Sequence, residues 1–232
     1  MLRGVGIVVG LAAEARLARR LGVAVAVGGG DAAGARRAAE SLLRHGVRAL
    51  VSFGLAGGLD PALPSGALLV PGAVWSAGRR IAVDPALAQV LGGAGEATLL
   101  CADRAAVTAA EKQRLWRQTG CAAVDLESGA VAAAAAAAGA GFAVLRAVCD
   151  PAGQDLPPAA LAALDRGGAI RVGRVAASVL ADPGQVPALM GLAVAAAAAR
   201  RSLALRVAAL RARGLSNSAE GDPEGEDSLK DI

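Results

Sequence analysis

The sequence predicts an α/β fold, a three-layer sandwich in which helices cover both faces of a mixed, largely parallel central sheet. Two observations lead to this prediction. Short apolar runs rich in Val and Leu alternate with longer segments in which apolar residues recur at helical spacing. Glycine or a helix-capping residue separates most of these segments, as expected between strands and helices. With 232 residues, the chain is long enough for one such domain.

The predicted strands are apolar runs, and all but one of them end at glycine, at cysteine or beside a carboxylate. Short continuous apolar runs of this kind are typical of strands buried in an α/β sheet. In chain order, they cover residues 5–10, 23–27, 48–53, 67–74, 97–101, 122–126 and 142–149.

The predicted helices lie between these strands. Asp31 begins a helix that ends near His45, where we expect the imidazole to be capping or solvated. Thr108 and Glu111 have the spacing of a capping box. The helical segments are a stretch around Glu14 and residues 31–44, 108–120 and 128–138, and after a loop at 150–158 the chain is helical to residue 213.

Charge is distributed unevenly along the chain. The formal net charge is +4, but residues 214–232 hold six acidic residues and one lysine, which leaves a strongly basic remainder. Aromatic residues make up only 2% of the chain and no nucleic-acid-binding module is recognisable, so no nucleic-acid partner is predicted. We predict a main domain at 1–185, a basic amphipathic helix at 186–213 and an acidic, disordered tail at 214–232.

The chain has three cysteines and one histidine. An odd number of cysteines without a Cys-x-x-Cys pair predicts reduced, largely buried thiols, and a single histidine does not favour zinc, so we predict no metal. The first residues lack the apolar stretch of a signal peptide, and no apolar run reaches the roughly 20 residues that span a bilayer. We therefore expect a cytoplasmic protein, at most peripheral to the inner face of the membrane.

The last predicted helix combines an apolar stripe with a basic surface. Leu203, Val207 and Leu210 recur at helical spacing. Two interpretations stay open: the stripe covers the core of the protein or a subunit interface, as most such stripes do, or it docks on an anionic membrane. The neighbouring basic residues are Arg200, Arg201, Arg206, Arg211 and Arg213.

Carboxylates follow two of the predicted strands. Asp125 and Glu127 end one strand and Asp150 ends another, and the carboxyl ends of strands form the edge of an α/β sheet where ligands bind. Carboxylates at such an edge favour acid–base chemistry on a sugar or a leaving group. The alternative is that Asp125 and Glu127 only cap the following helix.

Two glycine-rich segments also follow predicted strands. The segment at 52–59 would let a ligand approach the backbone and would present N–H groups to phosphate or sugar oxygens. The segment at 28–34 only loosely resembles a dinucleotide fingerprint. Its spacing is wrong and no acidic residue follows at the distance needed to bind a ribose, so we do not predict a nicotinamide enzyme.

The order of these motifs resembles the purine nucleoside phosphorylase and methylthioadenosine/S-adenosylhomocysteine nucleosidase superfamily. The resemblance extends over residues 5–181. Its motifs are Gly10-Leu11-x-x-Glu14, the turn at 52–59 with the segment at 64–70, Val124-Asp125-Leu126-Glu127-Ser128, and Leu145-Arg146-Ala147-Val148-Cys149-Asp150. It implies that 1–185 is a nucleoside-phosphorylase-like catalytic domain that acts as a homodimer or a larger homo-oligomer.

Within this superfamily, the segments at 10–16, 52–54, 60–61 and 150–158 resemble the hopanoid-associated phosphorylases. That resemblance implies phosphorolysis of adenosylhopane, a lipid nucleoside, with release of adenine during hopanoid side-chain biosynthesis. Inorganic phosphate would be the co-substrate, and no other cofactor is implied. The alternative enzyme is a hydrolytic methylthioadenosine/S-adenosylhomocysteine nucleosidase. A third hypothesis is a catalytically silent protein that keeps the fold and binds a membrane or a partner.

The resemblance also implies roles for individual residues. Glu127 matches the carboxylate that binds the ribose hydroxyls, and Asp150 matches the residue that protonates or hydrogen-bonds N7 of the leaving purine. An aspartate at position 150 suits a 6-aminopurine such as adenine. The other implied substrate-binding residues are Gly10, Glu14, Leu55, Ala56, Gly57, Asp103, Asp125 and Leu126.

The chain departs from the superfamily pattern in two places. The stretch at 103–107 lacks the phenylalanine that often stacks on the base. Nucleosidases have two successive glutamates where this chain has Glu14 and Ala15, and phosphorylases have an arginine at the position of Glu14. Candidate phosphate-binding residues are Arg16 and Arg36, with Arg37, Arg79 and Arg80 as further choices.

Overall fold

The computed structural model describes residues 2, 4–93, 95–162 and 172–213. The strands are β1 (Val5–Val9), β2 (Ala24–Val27), β3 (Ala49–Gly58), β4 (Leu68–Leu69), β5 (Pro71–Ser76), β6 (Arg79–Ala82), β7 (Gly95–Cys101), β8 (Ala123–Asp125) and β9 (Gly141–Asp150). The helices are α1 (Ala12–Ala18), α2 (Ala32–Arg44), α3 (Pro85–Leu91), α4 (Ala109–Thr119), α5 (Ser128–Ala137), α6 (Pro158–Ala162), α7 (Val172–Ala181) and α8 (Val186–Ala212). Short 3-10 turns cover Arg19–Leu21 and Pro183–Gln185.

The strands form one mixed sheet. Its main order is β2-β1-β3-β8-β7-β5-β6, with β9 paired to β3 and β4 paired to β9. The pairs β1–β2, β1–β3, β3–β9, β5–β7 and β7–β8 are parallel, whereas β3–β8, β4–β9 and β5–β6 are antiparallel. The predicted fold class, a mixed and largely parallel sheet between helices, is confirmed.

Strand β3 is longer than predicted. The glycine-rich segment predicted as a turn continues the strand to Gly58, because its backbone pairs with β9 on one side and with β8 on the other. Gly57 lies opposite both Asp150 and Val124. The strand predicted at 67–74 is also divided at Val70 into β4 and β5, and β6 and α3 were not predicted.

The predicted helix starts are formed by local capping. Asp31 accepts the N–H of Gly34 at 2.7 Å at the start of α2, and Thr108 accepts the N–H of Glu111 at 3.1 Å at the start of α4. A Cβ on Gly34 would overlap the carbonyl oxygen of Gly28. These glycines therefore let α2 pack closely against the end of β2, which explains the segment at 28–34 without a dinucleotide.

The stripe on α8 belongs to the core. Leu203, Val207 and Leu210 are at most 1% exposed and lie in the main apolar cluster with the sheet. The hypothesis that this stripe docks on a membrane is therefore wrong, and the core interpretation is correct. The predicted tail at 214–232 lies outside the described residues.

The first half of α8 has a different environment. Met190 and Val194 are exposed, as is Leu205 further along the helix. The span Pro183–Ala212 is long and apolar enough to cross a membrane by length and composition, a test that core helices also pass. The uninterrupted apolar run within this span is shorter, because Arg200 and Arg201 interrupt it.

We expect Leu203→Ala to lower the free energy of unfolding by about 2–5 kcal/mol, because the substitution leaves a cavity in a packed core. Leu205→Ala removes the same atoms from an exposed position of the same helix and should change stability by less than about 0.5 kcal/mol. Urea unfolding of both variants measures the difference. Equal effects would contradict the core assignment of the stripe.

Candidate active site

A cavity of about 250 Å³ lies at the carboxyl ends of β1, β3, β8 and β9. Most residues that the sequence analysis assigned to a substrate site line it: Gly10, Glu14, Leu55, Ala56, Gly57, Asp125, Leu126, Glu127 and Asp150. The other lining residues are Leu11, Gly30, Ala105, Ala106, Val124, Arg146, Cys149 and Leu156. The strand ends therefore bring the predicted carboxylates into one place.

Arg146 on β9 is the centre of the polar network behind this cavity. Its side chain is 2% exposed, and Nη2 lies 2.6 Å from Asp125 Oδ2 and 3.4 Å from Glu127 Oε2. Nη2 also donates to Ser52 Oγ at 2.7 Å, and Nη1 donates to the carbonyl of Leu55 at 3.3 Å. A buried guanidinium needs such partners because an unpaired buried charge is strongly destabilising.

The carboxylate of Asp125 is paired with other groups of the protein. Besides the ion pair with Arg146, its carboxylate accepts the backbone N–H of Ser128 at 3.2 Å and the Ser128 hydroxyl. These contacts hold the start of α5, as the capping interpretation predicted. Asp125 lines the cavity, but both of its carboxylate oxygens have partners within the protein.

Glu127 has a different arrangement. It is the residue before α5, yet its side chain makes no cap hydrogen bond. Within the described part of the chain, Oε1 is buried and has no hydrogen-bond partner, whereas Oε2 faces Arg146. The capping interpretation therefore fails for Glu127, and one of its oxygens is available as an acceptor in the cavity.

Burial raises the pKa of Glu127 to about 7. The positive charge of Arg146 opposes this rise, whereas the carboxylates of Glu14 and Asp125 add to it. Burial also raises the pKa of Glu14, again against the effect of Arg146. A carboxylate in such an environment gains most from a ligand that donates hydrogen bonds to it.

Glu14 fixes the backbone at two strand ends. Oε2 accepts the N–H groups of Gly10 and Leu11 at 3.1 and 2.9 Å, and Oε1 accepts the N–H of Leu55 at 2.9 Å. The carboxylate thereby joins the end of β1 to β3. Ala15, at the second position of the glutamate pair of nucleosidases, is buried.

Asp150 is paired with a lysine that the sequence analysis did not select. Lys112 Nζ on α4 lies 2.7 Å from Asp150 Oδ2, and Cys149 Sγ donates to Oδ1 at 2.8 Å. The pairing of β3 with β9 shifts by one residue here, so that Cys149 is bulged and Asp150 lies opposite Gly57. Bulges beside active sites commonly re-aim a side chain in this way.

Three glycines leave room for the three carboxylates. A Cβ on Gly10 would lie 2.8 Å from Glu127 Oε2, and one on Gly54 would lie 2.5 Å from Glu14 Oε1. A Cβ on Gly57 would lie 3.1 Å from Asp150 Oδ2. Any larger residue at Gly10 or Gly54 would have to displace the carboxylate.

Several predicted site residues lie elsewhere. Asp103 is exposed and does not line the cavity, although Ala105 and Ala106 from the same segment do. Arg16 and Arg36 are exposed on α1 and α2 and do not line the cavity either, which contradicts their assignment to a phosphate site there. Among the lining residues that the structure describes there is no aromatic ring.

Arg146 and Lys112 are the site residues that sequence reasoning missed. Arg146 interrupts an otherwise apolar strand, and a charge at such a position requires a buried partner. That signal was present in the sequence. Lys112 carries no such signal, because it lies among polar residues on a helix with other basic side chains.

The geometry agrees with a family match. Residues 94–181 match a family model described as the phosphorylase superfamily. This region contains Asp125, Glu127, Arg146 and Asp150. The chain has the fold of the phosphorylase superfamily. The resemblance predicted from the sequence is confirmed at this level, whereas the hopanoid-associated branch stays a prediction.

Solved structures show the same fold at low sequence identity. A putative 5′-methylthioadenosine/S-adenosylhomocysteine nucleosidase from Francisella philomiragia aligns with a TM-score of 0.65 and 16% identity over 90% of this chain and 98% of its own. The 5′-methylthioadenosine/S-adenosylhomocysteine nucleosidase from Neisseria meningitidis, in complex with methylthio-immucillin-A, aligns with a TM-score of 0.62 and 17% identity over 89% of this chain and 98% of its own. Futalosine hydrolase of Helicobacter pylori aligns with a TM-score of 0.56 and 17% identity over 63% of this chain and 87% of its own. No curated protein matches the chain in sequence.

We expect Glu127→Gln to stabilise the protein at pH 8 and to have little effect at pH 5. The native pKa of Glu127, about 7, lies above the value of 4.5 for an ordinary glutamate. Native protein therefore binds more protons than unfolded protein between these values, and stability falls as pH rises through that range. The expected gain at pH 8 is about 1–3 kcal/mol.

Thermal melts of both proteins across this pH range measure the effect. The exposed residue Glu40 on α2 provides a matched control, and Glu40→Gln should shift the melting temperature equally at both pH values. A gain from Glu127→Gln that is the same at pH 5 and pH 8 would contradict the raised pKa.

Proposed function

We propose that this protein cleaves the N-glycosidic bond of an adenine nucleoside. The observation that supports this proposal best is the presence of Glu127 and Asp150, each with a distinct polar environment, in one cavity of a phosphorylase-superfamily fold. Such cleavage needs one group that stabilises the sugar as positive charge develops and another that assists the departing base.

Glu127 is proposed to bind the ribose hydroxyls. Its unpartnered Oε1 can accept hydrogen bonds from them, and a charged acceptor makes such bonds stronger. These bonds strengthen further as the sugar gains oxocarbenium character in the transition state. Arg146 holds Oε2 from behind and keeps the carboxylate directed at the cavity.

Asp150 is proposed to assist the purine at N7. Its carboxyl lies at the cavity wall beside Gly57, where the missing side chain lets a ring approach. Ala105 and Ala106 would cover the base in place of an aromatic ring. The nucleosidase structures similar to this chain were solved with adenine-like ligands or named for adenine nucleosides, which agrees with an adenine nucleoside as the substrate.

The acceptor is either phosphate or water. The resemblance to hopanoid-associated phosphorylases favours phosphate as the acceptor, and an enzyme that transfers the sugar to phosphate is a glycosyltransferase. Among the described lining residues, however, the only positively charged side chain is that of Arg146, and it is already paired with the carboxylates of Asp125 and Glu127. This observation favours water, and therefore hydrolysis of a methylthioadenosine-like substrate, as the second candidate function. Measuring adenine release with and without phosphate distinguishes the two.

For the phosphorylase candidate we propose adenosylhopane as the substrate, which requires contact with a membrane. The exposed face of α8 suits an anionic bilayer better than the predicted stripe does. Met190, Val194 and Leu205 lie on this face together with Arg201, and α8 contains no acidic residue. The charged residues that line a groove beside it are Glu14 and four arginines: Arg16, Arg20, Arg200 and Arg201. Apolar burial and attraction to anionic headgroups would act together there.

We expect Asp150→Asn to lower kcat for adenine release by roughly 10²–10⁴-fold, the range for general acid catalysis. Asp103→Asn is the matched control, because Asp103 is exposed outside the cavity, and this variant should retain the wild-type kcat. Release of adenine from methylthioadenosine and from adenosylhopane measures both. Wild-type turnover by Asp150→Asn would refute the assignment, and a wild-type protein that releases no adenine would favour the catalytically silent alternative.

We expect the protein to co-sediment with liposomes that contain anionic lipid, and salt should weaken this binding. Replacing both Met190 and Val194 with glutamate should abolish binding without loss of activity on a soluble nucleoside. Trp116→Glu, an exposed apolar position on α4, is the control and should bind like the wild type. If the double variant instead separates a dimer in sedimentation, this face contacts a second copy of the chain and the membrane proposal is wrong.

A further inference from the structure

Lys112 is a buried charge on an otherwise solvated helix. Its side chain is 0% exposed, and it is the buried residue of α4. Placing an ammonium group out of water is costly unless it is paired and hydrogen-bonded. The reason for its position must therefore be sought in its partners.

Those partners belong to the segment that begins with Asp150. Besides Asp150 Oδ2 at 2.7 Å, Lys112 Nζ donates to the carbonyls of Asp150, Pro151 and Gln154 at 3.3, 3.2 and 2.8 Å. One ammonium group thus fixes both the carboxyl and the loop that carries it. Lys112 does not line the cavity, so any effect on a ligand passes through Asp150.

The orientation of Asp150 is fixed from both sides. Lys112 holds Oδ2 and the Cys149 thiol donates to Oδ1. Here the buried ammonium group contacts the carboxyl of Asp150, which we propose assists the departing base.

We propose that Lys112 is the positioning residue of the leaving-group step: it fixes Asp150 Oδ2 and the loop that follows, so that the carboxyl is held where it can meet N7 of the base. This inference rests on the proposed function.

In the leaving-group step the C1′–N9 bond breaks, and its electron pair passes into the purine. N7 takes the proton of the Asp150 carboxyl, so that one O–H bond is lost and one N7–H bond is formed, while Lys112 keeps its protons and its contacts. C1′ bonds to an oxygen of the acceptor, and the Asp150 carboxylate regains a proton through the cavity after adenine leaves.

Two substrates test this inference. Methylthioadenosine needs a proton on its leaving base, whereas 4-nitrophenyl β-D-ribofuranoside releases a phenolate that leaves without one. We expect Lys112→Met and Lys112→Gln to lower kcat on methylthioadenosine by roughly 10²-fold or more, with KM changed little, and to lower kcat on the nitrophenyl riboside by less than about threefold. Asp150→Asn should show the same split.

Equal losses on both substrates would show that Lys112 only maintains the structure, and no loss on either would show that it takes no part; both overturn the inference. A measurement on the wild type needs no folded variant: the 7-deaza analogue of methylthioadenosine cannot take a proton at position 7, and turnover within threefold of the parent would refute the assignment of Asp150 to N7, on which the inference rests. A wild-type protein that releases no adenine from any nucleoside refutes the proposed function instead.

Discussion

The site depends on the burial of Arg146. A guanidinium inside an apolar strand of the sheet is tolerated only because carboxylates surround it, and those carboxylates come from separate parts of the chain. Asp125 satisfies the charge directly, Glu127 is held at a longer distance, and Glu14 contributes through its field. Removing Arg146 would leave several buried negative charges together without compensation, and the sheet edge could not keep its arrangement.

Competition for this one cation gives similar residues different properties. Asp125 has the short contact and the Ser128 donors, so its oxygens are occupied. Glu127 has the weaker contact, so burial dominates and its pKa rises to about 7. Asp150 lies farther along β9 and has a cation of its own in Lys112. Chemically equivalent side chains thereby acquire three different polar environments within a single cavity.

Sequence reasoning reached the strand ends but not the pairings between them. Asp125, Glu127 and Asp150 could be placed at one edge because each follows an apolar strand, a signal local in the sequence. The partner of Asp150 could not be found, because Lys112 is 38 residues away and meets it only through the packing of α4. Helical spacing likewise revealed that Leu203, Val207 and Leu210 share a face, but periodicity does not specify what a face contacts. The glycine-rich segment 54–58 was predicted as a turn because its extended conformation depends on neighbouring strands that are distant in sequence.

The glycines at positions 10, 54 and 57 have a consequence for how this chain can vary. Much of the protein is built from alanine, and a helix such as α5 consists almost entirely of small residues. At these three positions even one methyl group would press on a carboxylate oxygen, at 2.8, 2.5 and 3.1 Å respectively. A drift in composition toward alanine therefore has to stop at these three positions, as it does at Gly34. The absence of a side chain at these glycines leaves the carboxylates the room that their positions require.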